Sequence, residues 1–282
     1  MKISVEATQP TRVAADLLAV PMAALDADRP RLPARLGALD RALGGRIATI
    51  LQSGDFRGKR GDVTVFHPDP GASAKRVMLV GLGPENEVDA EALRRASAAL
   101  VSTATARGAR RVALLAPPSR RLAPPDVAQA LAEGAVLAGF RFDRYVSKRE
   151  EPSEPPSAVA LVFAKASDLR TARIGCGRGN VLAESQNVAR RLSNEPPNAL
   201  PPAALAREAQ RVAREVGLGF RALAVPELKR RKMGGILAVG QGSTNPPRLI
   251  VIEHNHGPRA GRKRGARPAT RRPTVCLVGK GI

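Results

Sequence analysis

The sequence predicts an α/β protein: an N-terminal α/β sandwich domain over residues 1–168, a linking helix over 169–194, and the incomplete start of a second α/β domain over 195–282. Two observations predict the layered class. Short apolar, β-branched runs alternate with longer segments of helical spacing, the mark of a mostly parallel sheet covered by helices. The apolar share is 43% but the aromatic share only 2%, so the core is built from Ala, Val and Leu. The order of segments predicts the division: after the Pro-rich break "SNEPPNALPP" the alternation begins afresh.

In order, "KISV" and "DLLAV" read as strands. Leu36, Leu39, Leu43, Ile47 and Leu51 fall on one helical face, which predicts a helix over 35–51. "GDVTVFHP" and "KRVMLVGLG" are strands bounded by Gly or Pro. A helix follows from Asp89, a suitable N-cap, to Gly108, a suitable stop, with Leu93, Ala96 and Leu100 on one face. "RRVALLAP" is a strand, "PPDVAQALAEGAVLAGF" a helix and "SAVALVFA" a strand, reached through the exposed connector "REEPSEPPS". Val181, Leu182, Val188 and Leu192 share one side of a helix over 178–192. Beyond the break come a helix over 203–216, the strand "GFRALAV", and a short helix ending near Met233. The strands "GILAVG", "PRLIVIEHN" and "PTVCLVG" complete the chain, the last placing Cys276 as a small buried hydrophobe.

The formal net charge is +21, largely from Arg, which suits either a solvated basic surface or a polyanion partner. Arg259, Arg262, Lys263, Arg264, Arg267, Arg271 and Arg272 lie in one stretch without an acid, "RAGRKRGARPATRR". Gly and Pro punctuate it, so it reads as an exposed loop, or as a clamp for nucleic acid whose binding would fall steeply with salt. Two cysteines cannot supply a disulfide framework or a zinc ligand set, the N-terminus has no secretory core, and no run approaches the ~18 apolar residues of a membrane span. The expectation is a cytoplasmic protein with no membrane partner.

Few motifs carry chemistry. "GCGRG" at Gly175–Gly179 lacks the glycine spacing of a dinucleotide fingerprint, and "VGKGI" lacks that of a phosphate loop. His254 and His256 point the same way at a strand end, but nothing nearby completes a metal site. Lys280 stands between two glycines after an apolar strand, a place for a solvated stem, an anion anchor or an amine of lowered pKa.

Several segments in order, "SGDFRGKRGDVTVFHP", "KRVMLVGLGP", "LAEGAVLAGFRFDRYVSK", "VARRLSNEPPNALPPAALA", "KMGGILAVGQGSTNPPRLIVIEHN" and "PTVCLVGKGI", resemble the leucyl aminopeptidase (cytosol aminopeptidase) family. The resemblance implies a second domain of metallopeptidase type holding two divalent ions, manganese, zinc or magnesium. These bridge a water that attacks the first peptide bond of a peptide substrate, leucine-like by preference. It places a metal ligand at Lys280 and implies homo-oligomers in the complete family. It also implies that the catalytic residues and the metal-binding carboxylates follow the "VGKGI" motif, so that none is expected before Ile282. The chain read by itself is then a truncated member, inactive and binding no metal pair. Where the family has Thr or Ser ahead of its first helix after "PPN", Pro201 stands here and removes a cap.

Overall fold

The computed structural model describes residues 1–26, 30–147, 154–254 and 275–279. Contacts divide the chain into two units, Met1–Arg191 and Leu192–Ile282.

The first unit holds strands β1 (Lys2–Ala7), β2 (Leu17–Met22), β3 (Val63–Phe66), β4 (Val77–Gly81), β5 (Arg111–Leu115) and β6 (Ala158–Phe163). They form one sheet in the order β1-β6-β5-β2-β4-β3, parallel except for β3, which pairs antiparallel with β4 at the edge. Every residue of β2 and β4 is buried, as expected where helices cover both faces of a parallel sheet.

One face is covered by α1 (Gly37–Ala42) and α2 (Arg46–Ser53), whose Leu39, Ile47 and Leu51 pack against Leu18, Val20 and Leu79 of the sheet. The single helix predicted over 35–51 is therefore two. Gly44 and Gly45 adopt φ of 70° and 75°, a left-handed break, and the buried Asp40 carboxylate accepts the N–H groups of Ile47 and Ala48 to cap α2.

The other face is covered by α3 (Ala90–Ala106), α4 (Pro124–Ala138) and α5 (Leu169–Asn194). Asp89 caps α3 as expected, accepting the Ala92 N–H at 2.8 Å, and Gly108 at φ 63° follows its end. These helices approach closely because small residues line their seams. A Cβ on Gly134 would lie 2.1 Å from the Arg94 carbonyl oxygen, and one on Gly175 only 1.9 Å from that of Pro125. "GCGRG" thus sits inside α5, where Gly175 and Gly179 seat the helix on α4. The helix starts nine residues before the predicted Arg178, and its glycines do not break it, Gly175 and Gly179 being packing positions. Near its end, Asn187 and Arg190 donate to the carbonyls of Val136 and Leu137, answering the C-terminal carbonyls of α4, and the Arg190 guanidinium lies 4.2 Å from the Phe140 ring centre.

The second unit contains α6 (Pro202–Val216), β7 (Gly219–Leu223), α7 (Val225–Arg230), α8 (Gly234–Gly240) and β8 (Leu249–Glu253). Its two described strands pair antiparallel. "GILAVG", expected as a strand, is helix α8. A short apolar run bounded by glycines satisfies either period, and here Lys232 at φ 56° turns the chain out of α7 directly into a new helix. "PTVCLVG" is corrected too. Val275–Gly279 forms no strand, and Val275, Leu277 and Val278 are 81–93% exposed. Cys276 is exposed rather than a core residue. No strand among the described residues pairs with this run, so its β propensity finds no ladder.

Candidate functional site

The residues singled out from sequence do not converge on a described site. Lys280, His256 and the basic stretch from Arg259 to Arg272 lie outside the described residues. His254 follows β8 directly. Among the described residues no three of His, Cys, Asp and Glu lie together as a metal site would require. Glu208, Glu215 and Glu227 of the second unit serve its helices instead. Arg211 is bonded to Glu208 at 3.0 Å and Glu215 at 2.6 Å, and Glu227 accepts from Arg231 at 2.9 Å, which holds the Glu227 carboxyl below its usual pKa. These are exposed i,i+3 and i,i+4 pairs that support their own helices and are screened by solvent. Pro201 stands at the N-cap of α6 with no side-chain cap, as the sequence implied.

The first unit contains a cleft that sequence reasoning did not find. Strands β2 and β5 are neighbours, yet β2 leads into α1 on one face of the sheet and β5 into α4 on the other. Adjacent strands whose connections leave on opposite faces open a crevice at their carboxyl ends. Pairing of β2 with β5 stops at Ala19–Leu114, so Pro21, which has no N–H, lies past the paired stretch. The Pro21 carbonyl accepts a hydrogen bond from the Arg35 guanidinium at 3.1 Å. Burial of that guanidinium lowers its pKa, although the residue as a whole remains open to solvent.

Beside this step, at the carboxyl ends of β5 and β6, a cleft of ≈ 300 Å³ is bounded on one side by Arg35 and Leu36 from the connection after β2. Leu36, Leu115, Leu122, Val162 and Phe163 give it apolar walls, and Arg35 and Lys165 bring charge to it. Both cations come from connections that follow strands and are 130 positions apart, so neither stands out in a linear reading. The usable signal was weaker: a lone cation just past the carboxyl end of an apolar strand, as in "VFAK".

An open, mostly parallel sheet covered by helices, followed by a second unit of helices and strands, defines the class as layered α/β, and the comparisons make it particular. The model for the cytosol aminopeptidase family N-terminal domain matches residues 22–149, and that for its catalytic domain matches 187–282. The chain belongs to the cytosol aminopeptidase family. It is 36% identical to a probable cytosol aminopeptidase of Acidobacterium capsulatum, over 86% of this chain and 46% of that protein. The probable cytosol aminopeptidase of Roseiflexus castenholzii is 34% identical over 100% of this chain and 52% of its own length. Among solved structures, a mutant tomato leucine aminopeptidase matches with TM-score 0.78 and 25% identity, covering 89% of this chain and 50% of its own. The bottromycin maturation enzyme BotP in complex with Mn matches with TM-score 0.64 and 29% identity, over 85% and 45% of the two chains. The chain thus spans about half the length of the relatives it matches. No described helix is long and apolar enough to cross a membrane.

Proposed function

We propose that this chain carries the N-terminal domain, the linking helix and the opening of the catalytic domain of a metal-dependent aminopeptidase, divided at residues 168 and 194. The complete protein removes N-terminal residues, leucine-like by preference, from peptides and acts as a homo-oligomer. The observation that carries this reading is the succession of the two family domains along one chain, at 22–149 and 187–282. The Mn of the BotP complex supports a divalent ion as the family's cofactor.

The donors described here do not fit a pair of such ions. Hard divalent cations require several oxygen ligands, and no cluster of three His, Cys, Asp or Glu exists among the described residues. Lys280 would supply a single nitrogen, neutral only if an adjacent cation lowered its pKa. The polypeptide by itself is inactive on this reading. Incubated with leucine p-nitroanilide and manganese or zinc, it releases no nitroaniline above the metal blank. Turnover that disappears in Lys280→Ala would overturn the inactivity.

One observation favours a second reading. The seven basic residues of 259–272, in a chain of net charge +21, suit a nucleic-acid backbone. Deleting that stretch should flatten the salt dependence of DNA or RNA binding; an unchanged slope removes the clamp from consideration.

A further inference from the structure

The cleft at the carboxyl ends of β5 and β6 has the attributes of a ligand site independent of peptide hydrolysis. It lies at the carboxyl ends of the parallel strands β5 and β6, beside the β2–β5 step where the connections change face, and open α/β sheets bind their ligands at the carboxyl ends of their strands near such a step. Its ≈ 300 Å³ is at the lower end of the size range of small-molecule pockets, and its wall is apolar with a few polar groups, as such pockets are.

The sign of the ligand's charge follows from the lining. Arg35 and Lys165 face a single carboxylate, Asp168, and no described carboxylate forms an ion pair with either cation. Arg35 spends one N–H on the Pro21 carbonyl, which fixes the head group and leaves the rest of its donor fork without a described partner. The first turn of α4 cannot serve as the anion acceptor. Pro124 and Pro125 have no N–H, and the N–H groups of Asp126 and Val127 already donate to the Ala123 carbonyl. Charge recognition therefore falls to the side chains. Ser119 adds a hydroxyl whose oxygen is held by the N–H groups of Arg121 and Leu122, leaving its proton to donate. Phe163 and Leu115 offer a surface for an apolar body.

We propose that this cleft binds a small organic anion, an apolar or aromatic body bearing one phosphate or carboxylate, with Arg35 and Lys165 taking the charge.

The probe is 4-fluorophenyl phosphate, followed by fluorine NMR on the full 282-residue chain. Saturable binding is expected, weakened at least fivefold by Lys165→Gln and by Arg35→Gln. The control Arg107→Gln, which removes an exposed cation outside the cleft, leaves affinity unchanged. Lys165 is exposed, so its variant reports on the ligand even if Arg35→Gln destabilises the fold through its bond to Pro21. 4-Fluorophenol binds at least fivefold more weakly than the phosphate. Absence of saturation, equal loss in the Arg107 control, unchanged affinity in Lys165→Gln, or equal binding of the phenol would each overturn the proposal. None of these outcomes bears on the aminopeptidase reading, which concerns other residues and a different assay.

Discussion

Asp16 shows how much one side chain can organise. Placed just before β2, it accepts from the Lys75 ammonium at 2.8 Å and from the backbone N–H groups of Arg111 and Arg110, tying together the starts of β2, β4 and β5. Chiefly through the Lys75 bond, and then that of Arg111, its pKa falls to about 2. A carboxylate depressed in the folded state stabilises the protein above its unfolded pKa, and that contribution is lost as pH falls through the folded value. Asp16→Asn should therefore cost about 1–2 kcal/mol at pH 7, reduced for partial solvent screening, and almost nothing near pH 2. Urea unfolding at the two pH values checks this; an equal loss at both would assign the effect to packing. Ser97 presents the opposite case. Its hydroxyl is fully buried in α3 with no hydrogen-bond partner among the described residues. Burying an unsatisfied hydroxyl costs about 1–3 kcal/mol, and alanine is the better helix former, so Ser97→Ala should raise the melting temperature.

Among the elements, α5 makes the sharpest comparison, because two of its glycines differ only in what they face. Gly175→Ala drives a Cβ into the backbone of α4 and should destabilise by about 1–3 kcal/mol, despite gaining about 1 kcal/mol in helix propensity. Gly177 is exposed and meets nothing within 4 Å, so Gly177→Ala should stabilise by about 0.5–1 kcal/mol. Thermal unfolding of the pair tests the seam, and a shift of the same sign in both would refute it. In α6, Pro201→Ser supplies the missing cap and should add about 1 kcal/mol. These cases also mark how far the elements were legible. The strands of the first sheet and the Asp89 cap could be read because period, boundary residues and burial agree there. The glycines of α5 misled, since a glycine spent on close helix packing has the same letter as one that ends a helix. "GILAVG" misled because six residues of Gly, Ala and aliphatic side chains fit both periods. The cleft was hidden for a different reason: Arg35 and Lys165 become neighbours only through the crossover order of the strands.

Over the whole molecule, the two units differ in how much apolar surface they bury. The first has two layered clusters, whereas Ala206, Ala213, Leu223 and Leu228 are the buried apolar residues described in the second. At about 25 cal/mol per Å², so few small contacts give the second unit little stability of its own. Limited proteolysis should therefore remove residues beyond about 195 while a fragment near domain size persists; equal survival of both units would contradict that imbalance. The cysteines follow the same division. Cys176 is buried in the α5 seam, where burial raises its thiol pKa, and Cys276 is exposed. A chromogenic disulfide reagent at neutral pH should thus count one thiol at once and the second only as fast as the first unit opens. The delayed equivalent becomes a stopwatch for that opening, readable without attaching any label.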